Sequence, residues 1–162
     1  MMKPISVWKQ ELSGGAHAAR LAALYCCAPE QTPAQAARYE AVLDGLEATF
    51  GPHAEAGLYS APGRTEIGGN HTDHQHGRVL AGSVNIDMIA AAGPNTLGQL
   101  RVQSEGYDLC VIDLNDLAAR KEEENTSAAI LRGECEAFRQ RGAKLSGLDV
   151  YISSNVPKGS GV

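Results

Sequence analysis

The sequence predicts a mixed fold of the α+β class, and three observations lead to that prediction. Apolar residues recur at helical spacing in the first 50 residues, short apolar runs bounded by glycine and proline follow, and one more helical segment precedes the last run. Helices and strands that are segregated along a chain, rather than strictly alternating, are typical of α+β domains. The length of 162 residues, with 43% hydrophobic and 20% charged residues, fits one globular domain with a buried core.

Composition excludes several classes of protein. Fourteen Lys and Arg against 19 Asp and Glu give a net charge of -5, which argues against nucleic acid as a partner. The chain has no apolar run of about 18 residues and no apolar region after Lys3, so we expect neither a membrane span nor a signal peptide. The four cysteines form no disulfide framework and no C-x-x-C pair, which favours reduced thiols and a cytoplasmic protein; they are Cys26, Cys27, Cys110 and Cys135.

Two helices are predicted before residue 52. The first covers about residues 15–28, ends before Pro29, and buries Leu21, Leu24 and Tyr25. The second begins with a capping box in which Thr32 is the N-cap, Pro33 the first helical residue and Gln35 the third. Its buried stripe comprises Tyr39, Val42, Leu43, Leu46 and Phe50, and Gly51-Pro52 ends it.

Strands are predicted in the middle of the chain. Residues 58–61 form a short strand, residues 79–92 a longer apolar stretch, and residues 100–104 and 109–114 a hairpin around a turn at 105–108. Residues 113–116 are expected to lead into a short helical turn. The acidic stretch at residues 121–124 is expected to be a solvated face or loop.

A last helix and strand complete the prediction. The helix begins at a cap on Thr126 or Ser127, continues to about Arg141, and has Gly142 at its C′ position. Its expected buried residues are Ile130, Leu131, Cys135 and Phe138. Residues 148–152 alternate as a strand and lead into a glycine-rich end.

The polar segment 61–77 holds three His, one Asp, one Glu, one Arg and four Gly, and it predicts a functional loop. Asn70, His71 and Asp73 can hydrogen-bond several hydroxyls, as a sugar requires. Arg64 can face a phosphate or hold a catalytic carboxylate ionised. Two alternatives stay open: a polar turn with incidental histidines, and a metal site of His71, His74 and His76 with Asp73. The H-x-x-H-x-H spacing is not a standard zinc pattern, and a metal does not explain Arg64 or the glycines.

The glycine-rich segment 156–162 follows the last predicted strand. Such loops can direct backbone N–H groups at a phosphate, especially where a helix begins next. The segment lacks the G-x-x-x-x-G-K-[ST] pattern, so a surface turn is the competing interpretation. Because the sequence stops inside this loop, we expect the chain to be part of a longer protein.

Taken together, the two segments resemble the GHMP kinase superfamily, and specifically its galactokinase branch. Ala61-Pro62-Gly63-Arg64 and Gly69-Asn70-His71-Thr72-Asp73 resemble the sugar signature of that family. Pro157-Lys158-Gly159-Ser160-Gly161-Val162 resembles the start of its ATP loop. The resemblance covers about residues 57–162.

The resemblance implies the fold of an N-terminal GHMP kinase domain, of the ribosomal S5 domain 2 type. Residues 1–56 would be a helical segment leading into it, and residues 57–162 a partial domain. It implies phosphorylation of a sugar's anomeric hydroxyl by ATP with Mg²⁺, galactose to galactose 1-phosphate, in a protein whose partners are the sugar and ATP. Arg64 would stabilise charge during transfer as well as contact substrate. The remaining implied contacts are Asn70, His71 and Asp73 to the sugar, and Gly159, Ser160 and Gly161 to the ATP phosphates; no residue of the chain would bind a metal.

Four residues depart from the family pattern. The family usually has Asn where Glu66 stands, Glu where Asn70 stands, Tyr at His74 and an aliphatic residue at Gly68. The sugar therefore stays open. The family's catalytic aspartate would lie beyond Val162, so the chain alone is predicted not to turn over. A non-catalytic sensor of galactose and ATP with the same fold is the alternative.

Overall fold

The computed structural model describes residues 2–69 and 72–157, with only the backbone described at Asp73. The helices are α1 (Ile5–Ser13), α2 (Ala18–Tyr25), α3 (Thr32–Phe50) and α4 (Ser127–Gln140). The strands are β1 (Gly57–Gly68), β2 (Leu80–Pro94), β3 (Gln99–Ser104), β4 (Cys110–Asp113) and β5 (Leu148–Ser154). Short 3-10 turns cover Pro29–Gln31, Asp73–Gln75 and Lys121–Glu123. The predicted α+β class is confirmed.

In the part of the chain that the structure describes, the strands form one sheet in the order β1-β2-β5-β3-β4. The pairs β1–β2, β2–β5 and β3–β4 are antiparallel, and β3 pairs with β5 in parallel. The predicted hairpin is β3–β4. Because β1 and β5 both run antiparallel to β2, they point in the same direction.

The first two helices differ from the prediction. Helix α1 was missed; it follows Pro4 and buries Ile5 and Leu12, which are too few to mark a periodic stripe. Helix α2 ends at Tyr25 rather than near residue 28, because Cys26 adopts a left-handed φ of 48° that stops the helix. Leu21 and Tyr25 are buried as predicted. Leu24 was predicted wrongly, since it is 48% exposed.

Helix α3 has the predicted length but a different beginning. Thr32 is its first helical residue, and its hydroxyl donates to the Pro29 carbonyl (2.8 Å) within the preceding 3-10 turn. The predicted capping box on Thr32 is therefore wrong, because the turn before the helix occupies the hydroxyl. Gly51 closes the helix with φ 88°, a conformation that glycine adopts without strain.

Helices α1 to α3 cover one face of the sheet over β1, β2 and β5. The predicted α3 stripe lies in this core, with Val42, Leu43 and Leu46 fully buried and Phe50 partly buried. Gly45 allows α3 to approach β5 closely, because a Cβ there would collide with the Tyr151 ring. The core therefore joins the N-terminal helices directly to the sheet.

Helix α4 packs on the opposite face, over β3 and β4, around Ile112, Leu117 and Cys135. Thr126 caps it by accepting a hydrogen bond from the Ala129 amide (3.3 Å), and Gly142 follows with φ 86°, both as predicted. The expectation that Ile130 and Phe138 are buried is wrong, since they are 68% and 54% exposed.

The buried side of α4 includes Arg132 instead. Its guanidinium makes a two-pronged pair with Glu123 (2.8 and 2.6 Å) and donates to the Asp116 carbonyl. Glu123 was expected to be solvated, but it is the partner of a buried cation. Leu131 and Cys135 lie on the buried side as predicted, but hydropathy alone misses Arg132, because a paired arginine can occupy a buried position.

The cysteines Cys26, Cys27, Cys110 and Cys135 are all free thiols. Among the described residues, no helix combines the length and the apolar character needed to cross a bilayer.

Candidate functional site

The sheet topology places the strands that lead into the two predicted motifs on either side of β2. Strands β1 and β5 flank β2 and run in the same direction; β5 ends level with Ala61 of β1, and β1 continues along β2 to Gly68. Neighbouring strands lie about 4.8 Å apart, so β1 and β5 are about 10 Å apart. Pro62 pairs with Asp87, and the Asn155 amide donates to the Asp87 carbonyl (3.0 Å). Pro62, near the start of the polar segment, and Asn155, which precedes the glycine loop, therefore lie in line across β2.

The first half of the polar segment is a strand rather than the predicted loop. Strand β1 continues to Gly68, and Arg64 pairs with Ser83 and Glu66 with Ala81. The Arg64 side chain is 51% exposed, and its Nη1 lies 3.8 Å from Oε2 of Glu66, whose side chain is only 6% exposed. Arg64 thus offers a half-exposed cation that is fixed on a strand and backed by a carboxylate.

The described residues of the loop between β1 and β2, which are 69 and 72–79, are held in a closed form. Gly69 has φ 122°, and a Cβ there would lie 2.7 Å from the Arg78 carbonyl oxygen and from Val79 Cα. The Thr72 hydroxyl donates to the Gly69 carbonyl (2.8 Å), and the Thr72 carbonyl accepts from the Gly77 amide (2.7 Å). At Gly77 a Cβ would collide with the Thr72 side chain. These contacts hold the 3-10 turn at Asp73–Gln75 against the end of β1.

The structure locates only part of the predicted site. Arg64 is placed on β1, and Asp73 begins the short turn, with only its backbone described. Asn70 and His71 lie outside the described residues, as do Gly159, Ser160 and Gly161, so their roles stay predictions. In residues 2–69 and 72–157, no group of three or more His, Cys, Asp or Glu is arranged to hold a metal ion. His71, one of the hypothetical ligands, is outside that range.

A groove of about 680 Å³ opens beside the approach to the glycine loop. Its apolar lining includes Met88, Val102 and Ile152, and Val156 and Pro157 close the end nearest the loop. Ser104, Asp108, Cys110 and Ser127 add polar atoms. Burial raises the pKa of the Cys110 thiol, which keeps this group neutral. The volume and the mixed lining are typical of a small-molecule site.

Two buried carboxylates were not predicted from the sequence. They are Asp87 on β2, which is 2% exposed, and Asp149 on β5, which is 1% exposed. Asp149 accepts two hydrogen bonds from Arg101 (2.6 Å each), one from Asn95 (2.7 Å) and one from His53 (3.0 Å). Burial raises the pKa of Asp149, but the hydrogen bonds from these donors outweigh it and lower the pKa below its usual value. The sequence signal that could have found them is a charged residue inside an apolar strand, because a buried charge must be paired or hydrogen-bonded.

Several known proteins are similar to this chain in sequence. Residues 46–94 match a family model described as the galactokinase galactose-binding signature. A galactokinase of Streptomyces coelicolor is 34% identical over 108 residues, covering 65% of this chain and 27% of the relative. A galactokinase of Ligilactobacillus salivarius is 31% identical over 125 residues, covering 75% and 32%. The chain thus spans about a third of the length of these relatives.

Solved structures share the fold. The crystal structure of Lactococcus lactis galactokinase complexed with galactose has a TM-score of 0.64 at 21% identity, covering 72% of this chain and 31% of that chain. The Methanococcus jannaschii mevalonate kinase has a TM-score of 0.54 at 12% identity, covering 68% and 36%. Both likenesses concern the fold alone.

The fold of this chain is that of the N-terminal domain of a GHMP-type kinase, as the resemblance implied. Within that superfamily the signature and the curated relatives narrow the assignment. The chain matches the N-terminal portion of galactokinases.

Proposed function

We propose that this chain forms the sugar pocket and one wall of the nucleotide site of an ATP-dependent kinase that phosphorylates galactose at its anomeric hydroxyl. The observation that carries the proposal is the alignment of Pro62, Asp87 and Asn155 across three adjacent strands. It places Pro62, near the start of the polar segment, about 10 Å by strand spacing from Asn155, which precedes the glycine loop. Direct transfer needs donor and acceptor sites next to each other.

Arg64 has the properties that phosphoryl transfer requires of a charge-stabilising group. Its guanidinium is permanently charged, half exposed and mounted on a strand, so it can face the transferred phosphoryl group without losing its position. Glu66 lies beside it, where the family usually has Asn. We propose that the Glu66 carboxylate helps to orient Arg64, while Asn70, His71 and Asp73 hold the sugar hydroxyls.

The groove beside Val156 and Pro157 supports the proposal that a nucleotide binds next to the glycine loop. Its apolar lining from β2, β3 and β5 suits a flat base, and its serines suit polar atoms of the nucleoside. The phosphates would then lie on the backbone of Gly159, Ser160 and Gly161, and Mg²⁺ would accompany them. ATP and Mg²⁺ are thus the proposed cofactors.

Isothermal titration of the 162-residue chain with galactose tests the sugar pocket. We expect Arg64→Ala to weaken galactose binding at least tenfold. The matched control is Arg139→Ala, because Arg139 is 53% exposed and also pairs with a glutamate, Glu136, but lies on α4. Equal affinities of the Arg64 and Arg139 variants, or no galactose binding by the unsubstituted chain, would refute the proposed pocket.

Turnover requires a separate assay. Because the resemblance places the catalytic aspartate outside these residues, we expect the chain to bind galactose and Mg-ATP without releasing ADP. Galactose-dependent ADP release is expected from a longer protein that contains this chain. A longer protein that binds both ligands but releases no ADP would instead be the galactose sensor.

A further inference from the structure

A buried polar network surrounds Asp87, the residue that lies between the two halves of the site. Arg38 Nη2 donates to Asp87 Oδ1 (2.7 Å), and Tyr25 and Ser60 donate to Oδ2 (2.6 Å each). The Tyr25 hydroxyl also lies 2.8 Å from the Tyr39 hydroxyl. Burial raises the pKa of Asp87, yet hydrogen bonds from Ser60, Tyr25 and Arg38 lower it overall. The carboxylate is therefore ionised and fixed by donors from α2, α3 and β1.

The network adjoins an irregularity in the β1–β2 ladder. From the Pro62–Asp87 pair to the Arg64–Ser83 pair, β1 advances by two residues and β2 by four. Asn85, within this bulge, donates to the Tyr25 carbonyl (3.2 Å), while the Tyr25 hydroxyl binds Asp87. Bulges bend strands and redirect side chains, commonly next to active sites. Since Arg64 is the first paired residue beyond the bulge, its direction depends on this anchor.

The same network also reaches the approach to the glycine loop. The Asn155 amide donates to the Asp87 carbonyl (3.0 Å), one residue beyond the last β2–β5 pair. With its side-chain oxygen turned toward Arg38, Asn155 accepts from Nε (3.1 Å) and Nη2 (3.2 Å). The next residue, Val156, donates its amide to the Ser154 hydroxyl (3.1 Å). Arg38 thus joins a buried carboxylate to an exposed residue just before the loop.

We propose that Arg38 and Asp87 are positioning residues, which hold Arg64 and the approach to the phosphate-binding loop at a fixed separation. The proposal rests on the proposed kinase function. Among the described residues, Arg38 and Asp87 contact other side chains and the backbone of this chain. They therefore act indirectly, through the bulge in the β1–β2 ladder and through Asn155. A one-ångström change in the separation of donor and acceptor sites is enough to slow a transfer reaction strongly.

The test compares two buried carboxylates on the same sheet. Asp149 has a pair with Arg101 like that of Asp87 with Arg38, but it lies at the other end of the β2–β5 ladder. There the Asn95 amide donates to the Gly147 carbonyl (3.0 Å), and the Asn95 side chain binds Asp149. Amide hydrogen exchange of Asn155 and Asn95 is measured by NMR in the 162-residue chain. Asp87→Asn should speed exchange at least tenfold at Asn155 and not at Asn95, and Asp149→Asn should do the reverse.

A structural role alone predicts a different result. Equal acceleration at both amides in either variant, or no acceleration of Asn155 in Asp87→Asn, would overturn the proposal. If Asp87→Asn does not fold, Asn155→Ala removes the exposed acceptor of Arg38. This variant should keep its melting temperature while the amide of residue 155 exchanges faster, and unchanged exchange there would overturn the proposal.

Nucleotide affinity provides the functional readout. We expect Asp87→Asn and Arg38→Lys to raise the Kd of Mg-ATP at least tenfold, and Asp149→Asn to leave it within twofold. Equal weakening in the Asp87 and Asp149 variants would contradict a positioning role. If the unsubstituted chain does not bind Mg-ATP, the proposed nucleotide site fails. The exchange pattern then still decides whether Arg38 and Asp87 hold the loop approach.

Discussion

Replacing Gly69 by alanine tests whether the loop between β1 and β2 must keep its closed form. The residue has φ 122°, a region that side-chain-bearing residues rarely adopt, and its Cβ would lie 2.7 Å from two backbone atoms, the Arg78 oxygen and Val79 Cα. Backbone atoms cannot rotate away as a flexible side chain can. The loop of the variant must therefore open or retain the strain.

The expected magnitude follows from this geometry. A residue held in a sparsely populated backbone region costs about 1–3 kcal/mol. Since about 1.4 kcal/mol corresponds to a factor of ten in affinity, galactose binding should weaken about 5- to 150-fold if the sugar requires the closed loop. If the loop opens instead of straining, the free energy of unfolding changes less than the binding does. Isothermal titration with galactose and urea unfolding of the same samples separate these outcomes.

The neighbouring glycine supplies the control. A Cβ added at Gly68 would meet no atom of the described residues within 4 Å, and the backbone there is not left-handed, so Gly68→Ala should bind galactose with unchanged affinity. Should Gly69→Ala bind galactose as tightly as Gly68→Ala, the closed loop would have no part in sugar recognition. Should both variants fail equally, the effect would concern the β1 edge in general.

Three further predictions concern the core, the buried carboxylates and the sugar. Leu43→Ala should lower the free energy of unfolding by about 2–5 kcal/mol because Leu43 is fully buried, whereas Leu24→Ala, at a position 48% exposed, should cost far less in the same urea titration. The pKa values of Asp87 and Asp149 are lower in the folded than in the unfolded chain. Their stabilisation is therefore complete above about pH 4 and declines as the pH falls through the folded values. Asp149→Asn should flatten that decline in unfolding measurements from pH 5 to 2. Asn70→Glu should change the preference among aldohexoses in binding assays, and identical affinities for every sugar would place Asn70 outside the pocket.

Local patterns were sufficient to predict most elements. Helix α3, the β3–β4 hairpin and the end of α4 follow from apolar spacing and from Gly51 and Gly142, because these signals depend on neighbouring residues alone. The predictions failed where a distant contact decides the outcome. The Thr32 hydroxyl is used by a preceding turn, and Arg132 occupies a buried position because Glu123 pairs with it.

For the candidate site, too, some features could be predicted from the sequence and others could not. The sequence predicts the chemistry, because the residue types of the polar segment and the glycine loop can be read from one chain. It does not show that the first half of the segment is a strand, since strand pairing joins Arg64 to Ser83 across an irregular ladder. It also leaves Asp87 as an unexplained charge in an apolar run.

The sequence by itself therefore determined which groups are available: a cation, hydroxyl-binding side chains and a glycine-rich loop. The tertiary structure decided where they lie relative to one another. Strand order brings residues 62 and 155 to either side of Asp87, and helices α2 and α3 deliver Tyr25 and Arg38 to its carboxylate. The physical reason is that a buried charge must be paired, and its partners come from elements far apart in the chain.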